Sequence, residues 1–246
     1  MDFWKFFSVG HADLRILNPT SDGKLDELVA LLDLGPEARL LDIGCGKGDF
    51  AVRAVEHWGC RAVGVDLSPD FAEDARRRVR DAGLADRIEI VERAGAEFEA
   101  EAGSFDVVSC LGASWIFGGY AGTLEALARW TRPGGIVISG EPYWKQPPEA
   151  AYCEAEGVTP EQFGTHRGNV DVGTRSGLAF LHALVSNEDE WDRYQGYQWR
   201  AAERFARAHP DDPDVPSLLE QMRGHRDVYL RWGRETLGWA IYMFMK

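Results

Sequence analysis

Three glycines at alternate positions, Gly44, Gly46 and Gly48, follow an apolar run in the stretch "LLDIGCGKGDF", Leu40 to Phe50. Glycine at such a turn lets the backbone approach a ligand closely and aims amide N–H groups toward it. The GxGxG spacing departs from the dinucleotide fingerprint GxGxxG, and the position where that pattern needs its third glycine is Asp49. An acid beside a helix N-terminus repels a pyrophosphate but does not oppose a cation. Asp42, two residues before the first glycine, adds a charge that favours the cationic end of a ligand, directly or through water. A second acid, Asp66 in "VGVDLSP", can accept hydrogen bonds from both hydroxyls of a ribose. That serves S-adenosylmethionine and unphosphorylated dinucleotides equally. The glycine spacing and the flanking acids favour the sulfonium ligand.

Composition narrows the rest. A chain of 246 residues, 45% of them hydrophobic, can bury one substantial core, so a single domain spanning 1–246 is expected. With 27 basic and 40 acidic side chains the formal charge is -13, which argues against nucleic-acid and anionic-membrane partners and for a small-molecule acceptor. Cys45, Cys60, Cys110 and Cys153 form no CxxC pair, so neither a metal site nor a disulfide framework is expected, and a reducing, cytoplasmic setting fits. The aromatic N-terminus is interrupted by Lys5 and His11 and does not read as a secretory signal. The apolar run Leu237 to Met245 is too short to cross a bilayer as a helix and reads as a buried strand.

These residues need a frame, and the apolar pattern supplies one. Strand-like runs at Arg39 to Ile43, Arg61 to Val65, Ile88 to Val91, Phe105 to Leu111 and Ile136 to Ser139 alternate with helical patterns, the mark of a parallel sheet covered on both faces. The clearest helix follows Ser68, a cap, and Pro69, and carries Phe71, Ala75, Val79 and Ala82 on one face up to Gly83. Helices are also expected over Asp49 to Trp58 and Tyr120 to Thr131. Residues 1–38 are expected to form a helical cover and 39–140 the cofactor-binding core. The proline- and glycine-rich segment 141–178 reads as an inserted, loop-rich cap. Residues 179–246 then hold a strand near Phe180 to Val185, a helix from Glu188 to Ala208, a second helix through Leu218, Met222, His225, Tyr229 and Trp232, and a final strand.

"LLDIGCGKGDF", "GVDLSP", "SFDVVSCLGASW" and "RPGGIVISGEPYW" occur in the order and spacing of class I S-adenosylmethionine-dependent methyltransferases, which the chain resembles. The resemblance implies a Rossmann-like seven-stranded mixed sheet of order 3-2-1-4-5-7-6, its last strand antiparallel. It also implies S-adenosyl-L-methionine as cofactor and S-adenosyl-L-homocysteine as product. Asp42, Gly44, Cys45, Gly46, Gly48 and Asp66 map onto the cofactor-binding positions. Many members place an acid after strand three against the adenine; here Ala94 stands instead, so Gly95 and Ala96 with Leu67 and Leu111 are expected to take the ring. A nicotinamide-dependent oxidoreductase and a non-catalytic cofactor-binding module are the alternatives.

Methyl transfer is an in-line displacement that needs alignment and exclusion of water rather than a side-chain nucleophile. A base matters only where the acceptor must lose a proton. Acceptor groups are expected beyond the carboxyl ends of the strands: Trp115 after strand four, Tyr143 and Trp144 after strand five. Glu141 is a candidate base or cation-binding group, and His11 and His166 are further candidate bases. "CLGASW" replaces the Asp/Asn-Pro-Pro-aromatic segment typical of nucleobase amino methylation. The sequence is silent on oligomeric state.

Overall fold

The computed structural model describes residues 3–246, with side chains from residue 4 onward. Of the cover expected over 1–38, the first two residues lie outside the described residues. One seven-stranded sheet runs in the order β3-β2-β1-β4-β5-β7-β6. Its strands are β1 (Arg39–Ile43), β2 (Arg61–Asp66), β3 (Ile88–Glu92), β4 (Phe105–Leu111), β5 (Thr131–Trp144), β6 (Ala179–Val185) and β7 (Leu237–Met245). The first five are parallel, and β7 runs antiparallel between β5 and β6. Near-continuous apolar strands are what two covered faces require, and β1 is buried from its second residue on.

The cover comes from helices whose ends are written locally. On one face α2 (Asp22–Ala30), α3 (Asp49–Trp58) and α4 (Pro69–Asp81) pack Leu28, Val55 and Val79 against Leu40, Val107 and Ile138. On the other, α5 (Tyr120–Trp130) sets Leu124, Leu127 and Trp130 on Leu41, Val108 and Val137. Removing one such fully buried leucine side chain costs about 2 to 5 kcal/mol. α4 begins at Ser68, whose hydroxyl accepts from the Phe71 amide, with proline at its start. α8 (Glu188–Ala208) opens with a reciprocal capping box between Asn187 and Glu190. α1 (Phe3–Gly10) lies against α8, and α9 (Val215–Val228) packs on it from further along.

Three segments depart from the sequence expectation. β5 runs to Trp144, beyond the expected end at Ser139, because Glu141 to Trp144 find partners in Ala240 to Leu237 of β7. The segment expected to be loop-rich holds two helices, α6 (Ala150–Glu156) and α7 (His166–Arg175). Glycine hid α7: Thr165 caps it through the Gly168 amide, and Gly173 sits where a Cβ would fall 2.3 Å from the Phe244 ring. Beyond α9, a π-turn over Tyr229–Gly233 replaces the regular helix expected through Trp232. Among the described residues no helix is long and apolar enough to cross a membrane.

Candidate active site

Gly44, Gly46 and Gly48 adopt φ of 67°, 53° and 73°, a region open to glycine and strained for other residues. The Gly44 and Cys45 amides donate to the Val65 carbonyl at 2.8 and 3.0 Å, pinning the turn to the end of β2. Space is as restrictive as angle: a Cβ on Gly44 would lie 2.9 Å from Ala113 Cβ, and one on Gly46 2.8 Å from Leu17 Cδ1. Gly48 stands further on, starting α3 and packing closely on Ala75 of α4.

Beside the turn lies a cavity of about 230 Å³. Gly44, Gly46, Asp66 and Leu67 line it from the ends of β1 and β2 and the turns after them, Gly95 and Ala96 from the turn after β3, Leu111 from the end of β4 and Trp115 from beyond it. The Asp66 carboxylate accepts the Gly46 amide at 2.7 Å and the Ser68 amide at 2.9 Å, leaving a lone pair on each oxygen for a further donor. Burial raises its pKa against the pull of these amides. Trp4, Phe7 and Leu17 complete the lining from the N-terminal segment. The sequence reading missed them; the aromatic density of "FWKFF" was the only local signal, and their placement depends on long-range contacts.

A smaller cavity of about 40 Å³ adjoins the same turn and is lined by Asp42, Cys45 and Lys47. Asp42 is 2% exposed and accepts the Ser109 hydroxyl at 2.7 Å. Burial pushes its pKa up to about 7, opposed by that hydrogen bond and reinforced by the charge of Asp66. A ligand cation placed there would return the carboxylate to its ionised form. Asp49 plays a different part from the one its position suggested. It is buried between Arg53, at 2.7 Å, and Arg78, at 3.0 Å, so its charge is compensated and does not set the potential at the turn. The glycine spacing carries the discrimination against pyrophosphate.

The N-terminal segment is tied down over this site. The buried Lys47 ammonium donates to the His11 carbonyl at 2.9 Å, Asn18 Nδ2 donates to the Leu111 carbonyl at 3.0 Å, and Trp239 Nε1 donates to Thr20 Oγ1 at 3.1 Å. His11 itself is 2% exposed. Its Nδ1 lies 2.8 Å from the Phe7 carbonyl and must carry the proton; Nε2 then faces the Tyr194 hydroxyl at 2.9 Å. Burial lowers its pKa to about 4, against the Phe7 hydrogen bond. Considered as a candidate base, His11 is held by packing, both ring nitrogens are occupied, and it does not line the cavity.

The residues beyond β4 and at the end of β5 divide. Trp115 is 66% exposed on the 3-10 turn Ser114–Phe117 and lines the cavity. Trp144 does not join it: its indole is buried, donates to the Pro160 carbonyl at 2.8 Å and packs against Tyr152 and Phe163. Glu141 is 3% exposed, one of its oxygens has no hydrogen-bond partner, and burial pushes its pKa up to about 7 against the neighbouring Ser114. Tyr143 and His166 pack with their rings tilted at 55°, centres 5.2 Å apart, and His166 Nδ1 lies 3.1 Å from the Tyr242 hydroxyl. No group of residues among those described could hold a metal ion.

The sheet order, the glycine turn and the two acids at the ends of β1 and β2 define a class I methyltransferase, and residues 40–135 match the family described as Methyltransferase domain. The chain belongs to the S-adenosylmethionine-dependent methyltransferases. It is similar, at 32% identity and TM-score 0.93, to such an enzyme from Geobacter sulfurreducens solved with S-adenosyl-L-homocysteine, with 98% of this chain and 97% of that one covered. A Thiobacillus denitrificans methyltransferase solved with the same ligand matches at 32% identity and TM-score 0.92, over 100% and 99% of the two chains. The uncharacterised Escherichia coli protein YjhP is 32% identical over 98% of each chain. The cofactor is therefore S-adenosyl-L-methionine. The residues fit it: left-handed glycines leave a cradle that a Cβ would fill, apolar walls suit an adenine, and acids stand on either side of the turn.

Proposed function

We propose that the chain transfers the cofactor's methyl group to an oxygen, nitrogen or carbon of a small organic acceptor entering past Trp115. The observation carrying this reading is the cavity that joins Asp66 and the glycine turn to the turn after β4, bringing ribose-binding groups and an exposed aromatic into one space. When bound, the cofactor supplies an electrophilic methyl on a positively charged sulfur. In this reading Asp66 takes the ribose hydroxyls. The amides of the glycine turn and Asp42 take the amino-acid end. Leu67, Ala96 and Leu111 enclose the adenine, with Gly95 admitting it.

On the acceptor side, Trp115 and Tyr143 form walls and Glu141 is the proton acceptor. His166 stands farther out, beside Tyr143 and Tyr242. A cytoplasmic setting belongs to the same proposal, on the spacing of the four cysteines. Incubation with methyl-labelled cofactor and pooled small molecules tests it: label should appear in a small product. Label found only in protein or nucleic acid would reject it.

A further inference from the structure

We infer that the acceptor is a small amine, taken as its ammonium ion by the Glu141 carboxylate and the rings of Tyr120, Tyr143 and Tyr242. The inference rests on the small-acceptor reading above and names its substrate class. Its starting point is a concentration of unmet polar atoms on one face of the sheet. Glu141 Oε2, the Tyr120 hydroxyl and Ser139 Oγ are all buried and have no hydrogen-bond partner. Native interiors leave few such atoms, and a buried carboxylate oxygen is among the costliest to leave. Register explains why they gather: Ser139 pairs with Tyr242 and Glu141 with Ala240 across β5 and β7, so Glu141 and Tyr242 share a face two positions apart.

The rings form a connected wall. Tyr120 and Tyr242 have centres 5.8 Å apart, Tyr242 and His166 5.3 Å, and His166 and Tyr143 5.2 Å. The Tyr242 hydroxyl is held by Asn169 Nδ2 at 3.3 Å and His166 Nδ1 at 3.1 Å. Among the described residues no lysine or arginine offsets Glu141: burial raises its pKa and Ser114 opposes. A carboxylate without a cation, walled by phenol rings, is complementary to an ammonium group, which brings positive charge, several N–H donors and attraction to aromatic faces. An anionic acceptor meets repulsion there, and a neutral phenol supplies one donor and no charge.

The cluster stands directly behind the cofactor cavity. Ser114 lies against Glu141, while its neighbours Ala113, Trp115 and Ile116 line the cavity. Both are met by the same 3-10 turn, Ser114–Phe117, which is bounded by Gly112, Gly118 and Gly119, at φ of 108°, 75° and 115°. In the step itself, the ammonium N–H breaks and its proton passes to Glu141. The freed nitrogen lone pair forms the bond to the methyl carbon, and the carbon–sulfur pair returns to sulfur. The products are a methylated ammonium, a neutral thioether and one proton, which leaves Glu141 for solvent.

The test uses the full chain loaded with S-adenosyl-L-homocysteine and titrated with tetramethylammonium and dimethylammonium chloride at about pH 8, where the carboxylate is ionised. Both ions should bind, and Glu141→Gln should weaken them roughly tenfold or more although its thermal midpoint does not fall, with Tyr120→Phe giving a smaller loss. In the unaltered protein, infrared difference spectra should show a carboxylic acid band replaced by carboxylate bands as tetramethylammonium binds near neutral pH. That readout stands even if a variant fails to fold. Absence of binding, equal binding by Glu141→Gln, or an unchanged carboxyl band would each overturn the inference. Transfer of labelled methyl to phenols or carboxylic acids but not to amines would overturn it and leave the small-acceptor reading standing; transfer to no small molecule would remove both.

Discussion

Asp42 and Glu141 both sit within the sheet, one in β1 and the other in β5, and burial pushes both pKa values up to about 7. Their surroundings differ in completeness. Asp42 receives the Ser109 hydroxyl and faces a turn whose glycines, amides and second acid define a ligand. Glu141 keeps one oxygen without a partner among tyrosines drawn from α5, β5 and β7. The same electrostatic shift therefore marks two stages of a site. The β1 region is built from residues close in sequence and made for a cofactor common to a whole family. The β5 region is assembled across long sequence separations and is, in the proposed reading, the part that meets the acceptor.

That contrast fixes the order of expected effects. Gly46→Val should have the largest, because a side chain there meets Leu17 at 2.8 Å in a conformation hostile to a branched residue. Calorimetry should find S-adenosyl-L-homocysteine binding lost by more than about 100-fold while the circular dichroism of the fold persists. Binding within a few-fold of the parent would show that the turn is not the cradle.

Glu141→Gln should come next, through stability. The folded protein holds the Glu141 proton up to about pH 7, whereas an unfolded glutamate loses it near its ordinary value of 4.5. A raised carboxyl pKa gives stability that is complete below the ordinary value and is lost as pH climbs through the folded one. The variant should therefore gain on the parent between these limits, by up to roughly 3 kcal/mol above pH 7. Of the groups facing Glu141, burial holds the Cys110 thiol at about 12 and raises both Tyr120 and Tyr242, so these stay neutral throughout the window, while the lowering of His166 is common to parent and variant and drops out of their difference. Chemical denaturation at several pH values measures the gap, and a gap independent of pH would mean that Glu141 is ionised throughout.

Asp66→Ala should weaken cofactor binding by about 1.5 to 3 kcal/mol, since it removes the acceptor for the Gly46 and Ser68 amides as well as the proposed ribose contact. Unchanged affinity would take Asp66 out of the site. Lys47→Met should do least at equilibrium, about 1 kcal/mol, because it loosens the N-terminal segment at the His11 carbonyl without touching the glycines. Its clearer signature is faster release of S-adenosyl-L-homocysteine in stopped-flow displacement; an unchanged rate would deny the segment a part in retention.

What the sequence could show follows the same division. The glycine turn, the Ser68 cap and the alternation of strands and helices are local, so spacing and residue type suffice to find them. The roles of His11 and Trp144 were not legible, because they depend on Tyr194, lying 183 positions from His11, and on the Pro160 carbonyl in a segment of weak periodicity. Asp49 misled only in part for the same reason: Arg53, four residues on in the same helix, was within local reach, while Arg78, which also pairs with it, belongs to the next helix. α7 escaped detection because Gly168 and Gly173 serve a cap and a close approach to Phe244, not a loop.

The account depends most on the placement of the adenosyl group between Asp66 and the glycine turn. A crystal structure of the complex with S-adenosyl-L-homocysteine tests this directly. The ribose hydroxyls should lie within about 2.5 to 3.0 Å of the Asp66 carboxylate, with the amino-acid end directed toward Asp42. A ribose bound away from Asp66, or a ligand reversed so that its adenine lies beside Asp42, would contradict it.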